Sequence, residues 1–426
     1  MTKAVDRAGI STDPGPDRDT GLGEAIAAKL SDLAAVSDEP GRLTRLYLSP
    51  AHRRAADLVM GWMREAGMTT RIDAIGNVVG RYRAQDSGSL TLTLGSHIDT
   101  VRNAGRFDGA LGIVTAVEVV KAAFQAGRRF PFAIEVIAFG DEEGVRFAST
   151  LGGARALVGT FDSRALDEIG EDGLSRRQAL KAFGCDPSRL FEEALAPERS
   201  LGYVEVHIEQ GPVLEQEGLP VGIVTAIDGV SRAAVAIDGV AGHAGTVPMS
   251  MRKDALAGAA EMLVAIEACA RAKTSLVATV GKIEVPGSAA NTIPGQVRFT
   301  LDIRSPSDHE RSSAVREIKE IIATIAQRRG VSNRMVIGHE VPAAQCDPKL
   351  SDQMAAAVVA CGVPQRRLPS GAGHDAMAFD KIIPFAMLFV RCRGGVSHNP
   401  DEYASPGDME VAARVLLKFL DRIGSE

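Results

Sequence analysis

This chain is poor in aromatic residues and has no cysteines at paired spacing. Phe, Trp and Tyr make up only 4% of its 426 residues. No basic stripe interleaves with them, so the charged stacking surface of a nucleic-acid binder is missing. A net charge of −6 points the same way and excludes nucleic acid as the expected partner. The five cysteines, Cys185, Cys269, Cys346, Cys361 and Cys392, are scattered and odd in number, with no C-x-x-C among them. That excludes a disulfide framework and a thiolate zinc knuckle, and the expected compartment is the reducing cytoplasm. No apolar run approaches the roughly 20 residues of a membrane span, so no membrane partner is expected. Residues 1–20 are polar and rich in Asp, Gly and Pro. They lack the charged start and apolar core of a signal peptide and are read as a flexible N-terminal tail.

What is present is ordinary globular material, 45% hydrophobic and 24% charged, on a chain long enough that two domains are the natural expectation. Helical periodicity runs from Gly21 to Met68 with a break near Pro40, and Ser49-Pro50 has the form of an N-cap followed by proline at the first helical position. A strand pair is expected over Thr70–Arg83, bent at Gly76-Asn77. Apolar strands then recur at Leu90–Leu94, Phe132–Phe139 and Tyr203–Ile208. From Val221 the pattern changes to two β-rich stretches, Val221–Gly239 and Thr274–Arg304, with helices over Ser250–Lys273 and Pro306–Arg329. That order predicts a compact two-layer insert. A strand at Arg334–His339, a helix at Ser351–Cys361, a strand at Ile382–Val390 and a helix at Met409–Ile423 then read as a return to the first pattern. The expected organisation is a catalytic domain in two segments, 21–216 and 331–426, interrupted by an inserted domain at 217–330.

Chemistry collects where the strands end. GSHIDTVRNAGRFDGALGIV places His97, Asp99 and Asp108 after one strand, among glycines and before an apolar helix from Ala110 to Ala123. Ligands gather outside the carboxyl ends of strands in α/β sheets. FGDEEGVRF places Glu142 and Glu143 after the next strand, YVEVHIEQGP places His207 and Gln210 after a third, and SHNP adds His398. Imidazole and carboxylate suit zinc, manganese or cobalt. Two ions held roughly 3.5–4 Å apart need a bridging carboxylate, and Asp108 beside Gly109 is the candidate. Asp108 is also well placed to cap the helix that follows, and the two readings are compatible. Asp99 has the spacing of a carboxylate that orients the His97 imidazole. Adjacent residues on a strand point apart, so Glu142 and Glu143 are expected to divide the work, one binding metal and the other moving protons. In the insert, Gly242-His243-Ala244-Gly245 and Asn291–Gly295 are loops. Arg304 ends a strand where its charge needs a partner: Asp302, Asp254 or a substrate carboxylate.

Taken as a set, GSHIDTVRNAGRFDGALGIV, FGDEEGVRF, YVEVHIEQGPVLE, GHAGTVPMSMRKDAL, NTIPGQVRFTLDIR, SGAGHDAM and SHNPDE resemble the dinuclear-metal aminoacylase/carboxypeptidase superfamily. Within it they are similar to the hydantoinase/carbamoylase amidases, the branch of allantoate amidohydrolases and N-carbamoyl-L-amino acid hydrolases. The motifs occur in family order over residues 95–402. The resemblance implies an α/β fold, a mixed-sheet peptidase-like catalytic domain carrying an inserted two-layer α+β lid and dimerisation domain. It implies two divalent ions per subunit, manganese or zinc, with cobalt or nickel as alternatives. His97 and His207 would hold one, Glu143 and His398 the other, with Asp108 between them. Glu142 would be the general base and Asp99 an orienting carboxylate. Gln210, His243, Asn291, Arg304 and the backbone at Gly373 would bind substrate, with Arg304 clamping a carboxylate and His243 polarising the scissile carbonyl. A homodimer is implied, in which His243 reaches the partner's site. The reaction implied is hydrolysis of a ureido C–N bond in a small carboxylate-bearing substrate. Allantoate, cleaved to ureidoglycine, ammonia and carbon dioxide, is favoured over N-carbamoyl-L-amino acids or ureidopropionate. A peptidase or a non-catalytic scaffold fits less well. The basic segment Phe389–Gly395 before SHNP departs from the shorter, less basic segment of the carbamoylases.

Overall fold

The computed structural model describes residues 21–425, so the expected tail at 1–20 lies outside the described residues. The chain divides into two compact units. The first comprises residues up to Ile223, Asp347–Arg367 and Lys381 onward; the second comprises Val224–Cys346 and Leu368–Asp380.

The first unit begins with helices α1 (Leu22–Ala34) and α2 (Pro50–Glu65). Ser49 caps α2 by accepting the His52 amide, with Pro50 at the first position, as the sequence predicts. Strands β1 (Thr69–Ile72) and β2 (Val78–Tyr82) form the expected antiparallel pair. The turn is wider than Gly76-Asn77 alone suggests, because the Asp73 carboxylate closes it by accepting the amides of Ile75 and Asn77 and the Asn77 side chain. There follow β3 (Thr91–His97), α3 (Ala110–Gln125), β4 (Ala133–Phe139), the short α4 (Gly152–Leu157), α5 (Arg176–Phe183), β5 (Ser200–Ile208), α6 (Val213–Glu217) and the start of β6 (Val221–Ile227). In the second unit come β7 (Gly229–Asp238), β8 (Gly242–His243), α7 (Ala255–Arg271), β9 (Val277–Thr279), β10 (Ile283–Glu284), β11 (Thr292–Ile293), β12 (Gln296–Ser305), α8 (Asp308–Arg329), β13 (Ser332–Val341) and β14 (Ala344–Gln345). The chain continues through α9 (Pro348–Ala360), β15 (Arg367–Ser370), β16 (Phe385–Val390) and α10 (Pro406–Ile423).

The first unit is built on the strand order β1-β2-β4-β3-β5-β16-β6. β4, β3, β5 and β16 run parallel, and β16 is buried along its whole length, as strands covered on both faces are. Helix α3 is apolar on nearly every side and its residues from Ala110 to Val120 are all buried, which marks it as an interior helix. It lies so close to β5 that a side-chain carbon at Gly112 would collide with the Val206 carbonyl. Because the central strands are parallel, their carboxyl ends emerge together, and His97, Phe139 and Ile208 end β3, β4 and β5.

The second unit has its own core of Val235, Ile237, Met262, Phe299, Leu301, Ile318 and Ile322, among others. A sheet ordered β10-β12-β7-β13, with β9 also on β12, packs against α7 and α8, giving the two-layer arrangement predicted for the insert. Its extent needs correcting. β13, read from sequence as the return to the catalytic domain, pairs with β7 from Ser332 to Val341. The second unit therefore continues to Cys346 and recovers Leu368–Asp380 as well. An edge strand carries almost no buried face, here exposed at nearly every residue, so its composition does not reveal which sheet it joins. Among the described residues, no helix is long and apolar enough to cross a membrane.

Candidate metal centre

In the first unit the strand ends bring His97, Asp99, Asp108, Glu142, Glu143 and His207 together, and the loop after β16 adds His398. One group of ligand atoms, from His97, Asp108 and His207, lies within 4.8 Å of one another, and a second, from Asp108, Glu143 and His398, does likewise. Asp108 belongs to both, and its two oxygens are divided between them. Oδ1 lies 3.1 Å from His207 Nε2 and 3.7 Å from His97 Nε2. Oδ2 lies 3.2 Å from His398 Nε2, which in turn is 3.6 Å from Glu143 Oε2.

Asp108 does not cap α3. The cap position is Gly109, with no side-chain capping bond. Gly109 has a positive φ of 63°, and a side-chain carbon there would stand 2.5 Å from the His97 ring, so glycine is required on both backbone and steric grounds. The imidazoles are fixed from behind: His97 Nδ1 meets the Asp99 carbonyl at 3.0 Å and His207 Nδ1 meets the Ile208 carbonyl at 2.9 Å. Each therefore presents Nε2 to Asp108, the division of labour common at histidine ligands.

Asp99 is close to His97 but acts differently from the expectation. Its carboxylate is 3.9 Å from Nδ1 and instead accepts the backbone amides of Glu142 and Glu143, both at 3.3 Å. It orients the glutamate pair, while its carbonyl orients the histidine. Both Glu142 and Glu143 come near His97, but only Glu143 also groups with Asp108 and His398. That asymmetry separates the two glutamates, which adjacency alone could not do.

Three supporting residues, Glu402, Ser397 and Glu205, have no role assigned from the sequence. Buried Glu402 accepts the amides of Phe107 and Asp108 through one oxygen, at 2.8 and 3.0 Å, and the Ser397 hydroxyl through the other, at 3.0 Å. The same hydroxyl lies 3.3 Å from Asp108 Oδ2, so its one proton can serve either carboxylate. Thus the loop that delivers His398 also holds the backbone of Asp108. Glu402 ends the SHNPDE motif, and that is the signal that could have found it. Buried Glu205, under His207 on β5, accepts from Ser96 and Tyr203. Gln210, expected at the substrate, has a φ of 56°. It donates to Asp108 Oδ2 at 3.2 Å and to Ser397 at 2.8 Å.

The charge state agrees with a cation site. Burial alone would raise Asp108, but hydrogen bonds from three imidazoles hold it well below the usual carboxylate range. Burial would lower His97 and His207, yet Asp108, together with the neighbouring carboxylates Glu142 and Asp99 for His97 and Glu205 for His207, raises both. Contact with Asp108 lifts His398 to about 9. Glu143 is pushed up to about 7, first by burial and then by the Asp108 charge. The donor set, three imidazoles with Asp108 and Glu143 and no thiolate among the described groups, is compatible with a dinuclear metal site in which one carboxylate serves both ions.

Comparison with known proteins identifies the family. Residues 93–422 match the profile of Peptidase family M20/M25/M40. The chain belongs to that family. An allantoate deiminase of Glycine max is 41% identical over 94% of this chain and 90% of its own length. An N-carbamoyl-L-amino acid amidohydrolase of Geobacillus stearothermophilus is also 41% identical, over 92% of this chain and 97% of its own length. A hydantoinase/carbamoylase amidase of Burkholderia multivorans superposes with a TM-score of 0.90 at 31% identity, covering 95% of this chain and 98% of that one. This M20-family chain is thus a metal-dependent amidohydrolase with hydantoinase/carbamoylase amidases as structural neighbours.

The remaining candidate residues of this M20-family chain lie in its second unit and form two pairs. His243 on β8 faces Thr292 on β11, and the Asn291 carbonyl accepts the Ala244 amide at 2.8 Å, so His243 and Asn291 are neighbours. The Gly245 amide donates to His243 Nδ1 at 3.1 Å, which leaves Nε2 as the donor edge. Arg304 settles its open partner. It donates to both oxygens of Asp302, at 2.7 and 3.2 Å, and to the Gly371 carbonyl at 2.5 Å. Asp254 is occupied capping α7. The guanidinium has five N–H groups, so donors remain for a ligand. Gly373 stands two residues from Gly371, on the exposed part of that loop.

The basic segment after β16 is structural. Arg391 is bound through two nitrogens by Asp408, and Arg393 lies over the Tyr403 ring at 4.7 Å. It therefore carries no argument about substrate.

Proposed function

We propose that this protein hydrolyses the ureido C–N bond of a small carboxylate-bearing substrate, and that the substrate is allantoate, converted with water to ureidoglycine, ammonia and carbon dioxide. The observation carrying the reading is the division of the Asp108 oxygens between two ligand groups, with Glu142 beside them. When bound, the two ions would supply Lewis acidity and a water acidified towards neutral pH. His97 and His207 would hold one, Glu143 and His398 the other. Glu142, aimed by the Asp99 carboxylate, takes the proton of the attacking water and delivers it to the departing nitrogen. Gln210, Asn291, Arg304 and the Gly373 backbone bind substrate, and His243 donates from Nε2 to the scissile carbonyl. Five cysteines without disulfides suit a reducing compartment, the cytoplasm.

Allantoate is supported by the relatives that carry that name, and N-carbamoyl-L-amino acids by the equally similar Geobacillus protein. Ammonia or amino-acid release from allantoate, N-carbamoyl-L-amino acids, ureidopropionate and acyl-amino acids separates the two. The highest kcat/KM is expected for allantoate; a higher value for an N-carbamoyl-L-amino acid would reassign the substrate. With the preferred substrate, Arg304→Ala should raise KM ~10–100-fold, the loss of about 1.5–3 kcal/mol carried by hydrogen bonds to a charged group. Metal content should stay at wild-type level. An unchanged KM would remove Arg304 from the site.

The protein is further proposed to act as a homodimer in which His243 serves the partner's centre. Mixed dimers of Glu142→Gln and His243→Ala chains should then regain activity that neither parent has, because one of the two centres would carry neither change. Absence of complementation in dimers shown by sedimentation to be mixed would refute the shared site.

A further inference from the structure

Directly before the glutamate pair, Asp141 is a non-glycine residue in the left-handed region, with φ of 69°, and is 1% exposed. Its carboxylate forms an ion pair, at 2.7 Å, with Nη1 of Arg176, a residue from the start of α5 that is itself completely buried. The other guanidinium nitrogen reaches Glu168 Oε2 at 3.1 Å and the Ser149 hydroxyl at 2.8 Å. The rings of Phe147, Phe161 and Tyr47 surround it, with centroids 4.7, 5.6 and 5.9 Å away.

The surroundings are shaped for this pair. A side-chain carbon at Gly152 would come within 2.5 Å of Asp141 Oδ2 and 2.8 Å of Arg176 Nη1. The amides of Gly152 and Gly153 donate to the carbonyls of Asp141 and Gly140, at 3.3 and 3.1 Å. Asn77 Oδ1 accepts the Gly140 amide at 3.2 Å. The turn 140–141 is thus held from both sides, and Asp99 takes the next two amides.

Burying a guanidinium and a carboxylate is costly, and apolar residues of similar size would fill the same space at least as well. Packing does not account for the pair, whereas its position does. Non-glycine residues in left-handed backbone persist only where neighbours over-determine them. A negative charge beside Asp99, Glu142 and Glu143 would repel all three unless a cation faced it.

We propose that Arg176 is a positioning residue: by pairing with Asp141 it holds the left-handed turn that aims Glu142 and Glu143, and it neutralises a buried charge behind them. The inference rests on reading Glu143 as a ligand and Glu142 as the proton carrier.

The test is calorimetric titration of Mn2+ into chelator-treated protein, beside steady-state kinetics. Arg176→Leu is expected to weaken one of two Mn2+ sites ~10–100-fold, the usual cost of losing a residue that orients a ligand, and to lower kcat comparably with little change in KM. Removing the carboxylate charge as well, in Asp141→Asn/Arg176→Leu, should restore most of both, because no uncompensated Asp141 charge is then left behind Glu142 and Glu143, although Glu168 and Ser149 still lose their guanidinium partner. A purely structural role would weaken both sites alike or show only in the melting temperature. Wild-type Mn2+ affinity in Arg176→Leu would overturn the proposal. Should that variant not fold, the double variant is compared with Asp141→Asn, and a further tenfold loss in the double would overturn it equally. Failure of the underlying reading has a different signature, Glu142→Gln turning over at the wild-type rate, which leaves the Mn2+ result standing.

Discussion

Replacing Glu142 by glutamine is expected to lower kcat by ~10²–10⁴-fold, the range of general acid–base contributions, and to leave metal content and KM near wild type. The substitution keeps the length and shape of the side chain and its backbone amide bond to Asp99. What it removes is the capacity to accept a proton. Glu142 comes near His97 but is not part of the group formed by Asp108, Glu143 and His398, so the second ion should be retained. Metal analysis and turnover measured on one preparation check this. Wild-type turnover would show that another group moves the proton, and loss of metal would show that Glu142 is a ligand.

Asp108→Asn should have a larger effect on the centre itself. The two oxygens of Asp108 serve both ligand groups, so loss of both tightly held ions is expected, with kcat/KM falling by at least ~10³-fold, about 4 kcal/mol of transition-state stabilisation. The metal-free protein offers an independent readout. Asp108 lifts His398 from 6.5 to about 9. A raised folded-state pKa stabilises the protein fully below the unfolded value, and the stabilisation is lost as pH rises through the folded one. The His398 contribution is therefore complete below 6.5 and gone above about 9. Glu143, raised from 4.5 to about 7, acts with the same sign over a lower window. Metal-free wild type should melt at a lower temperature at about pH 9.5 than at about 6.5, and Asp108→Asn should flatten the upper part of that decline. Metal uptake displaces the same protons, so affinity should rise with pH across the window. A metal-free protein more stable at the alkaline end, or an Asp108→Asn variant retaining two ions, would contradict this account.

Sequence and structure divide the information along physical lines. The ligand candidates were legible because strand, acidic loop and helix follow one another locally, and parallel strands carry such loops to one edge. Ser49-Pro50 was legible for the same reason, as a cap is made within a single turn. Two compatible readings of Asp108, helix cap and bridge, were open from its local sequence. The cap reading falls because Gly109 takes the cap position without a side-chain bond, while His207, far along the chain, stands against the Asp108 carboxylate.

Other assignments depended entirely on distant contacts. Asp99 could be placed near His97 by spacing, but its carboxylate bonds to amides on the neighbouring strand's loop. Arg304 had two equivalent acidic partners in the sequence, and only pairing along β12 and the capping of α7 distinguish Asp302 from Asp254. Arg391 belongs to a segment that stood out in the sequence as basic, and its pairing with Asp408 exists only in the fold. β13 shows why the insert was cut short: an exposed edge strand carries no signal of the sheet it joins. Arg176 looks like a surface residue at the start of a polar helix, yet it is fully buried. The amino-acid sequence by itself determined which chemical groups stand at the strand ends and the period of the elements that carry them, because both are local properties. Tertiary structure alone decided which oxygen faces which imidazole and which charges neutralise one another, because those pairings join residues whose proximity exists only in the folded chain.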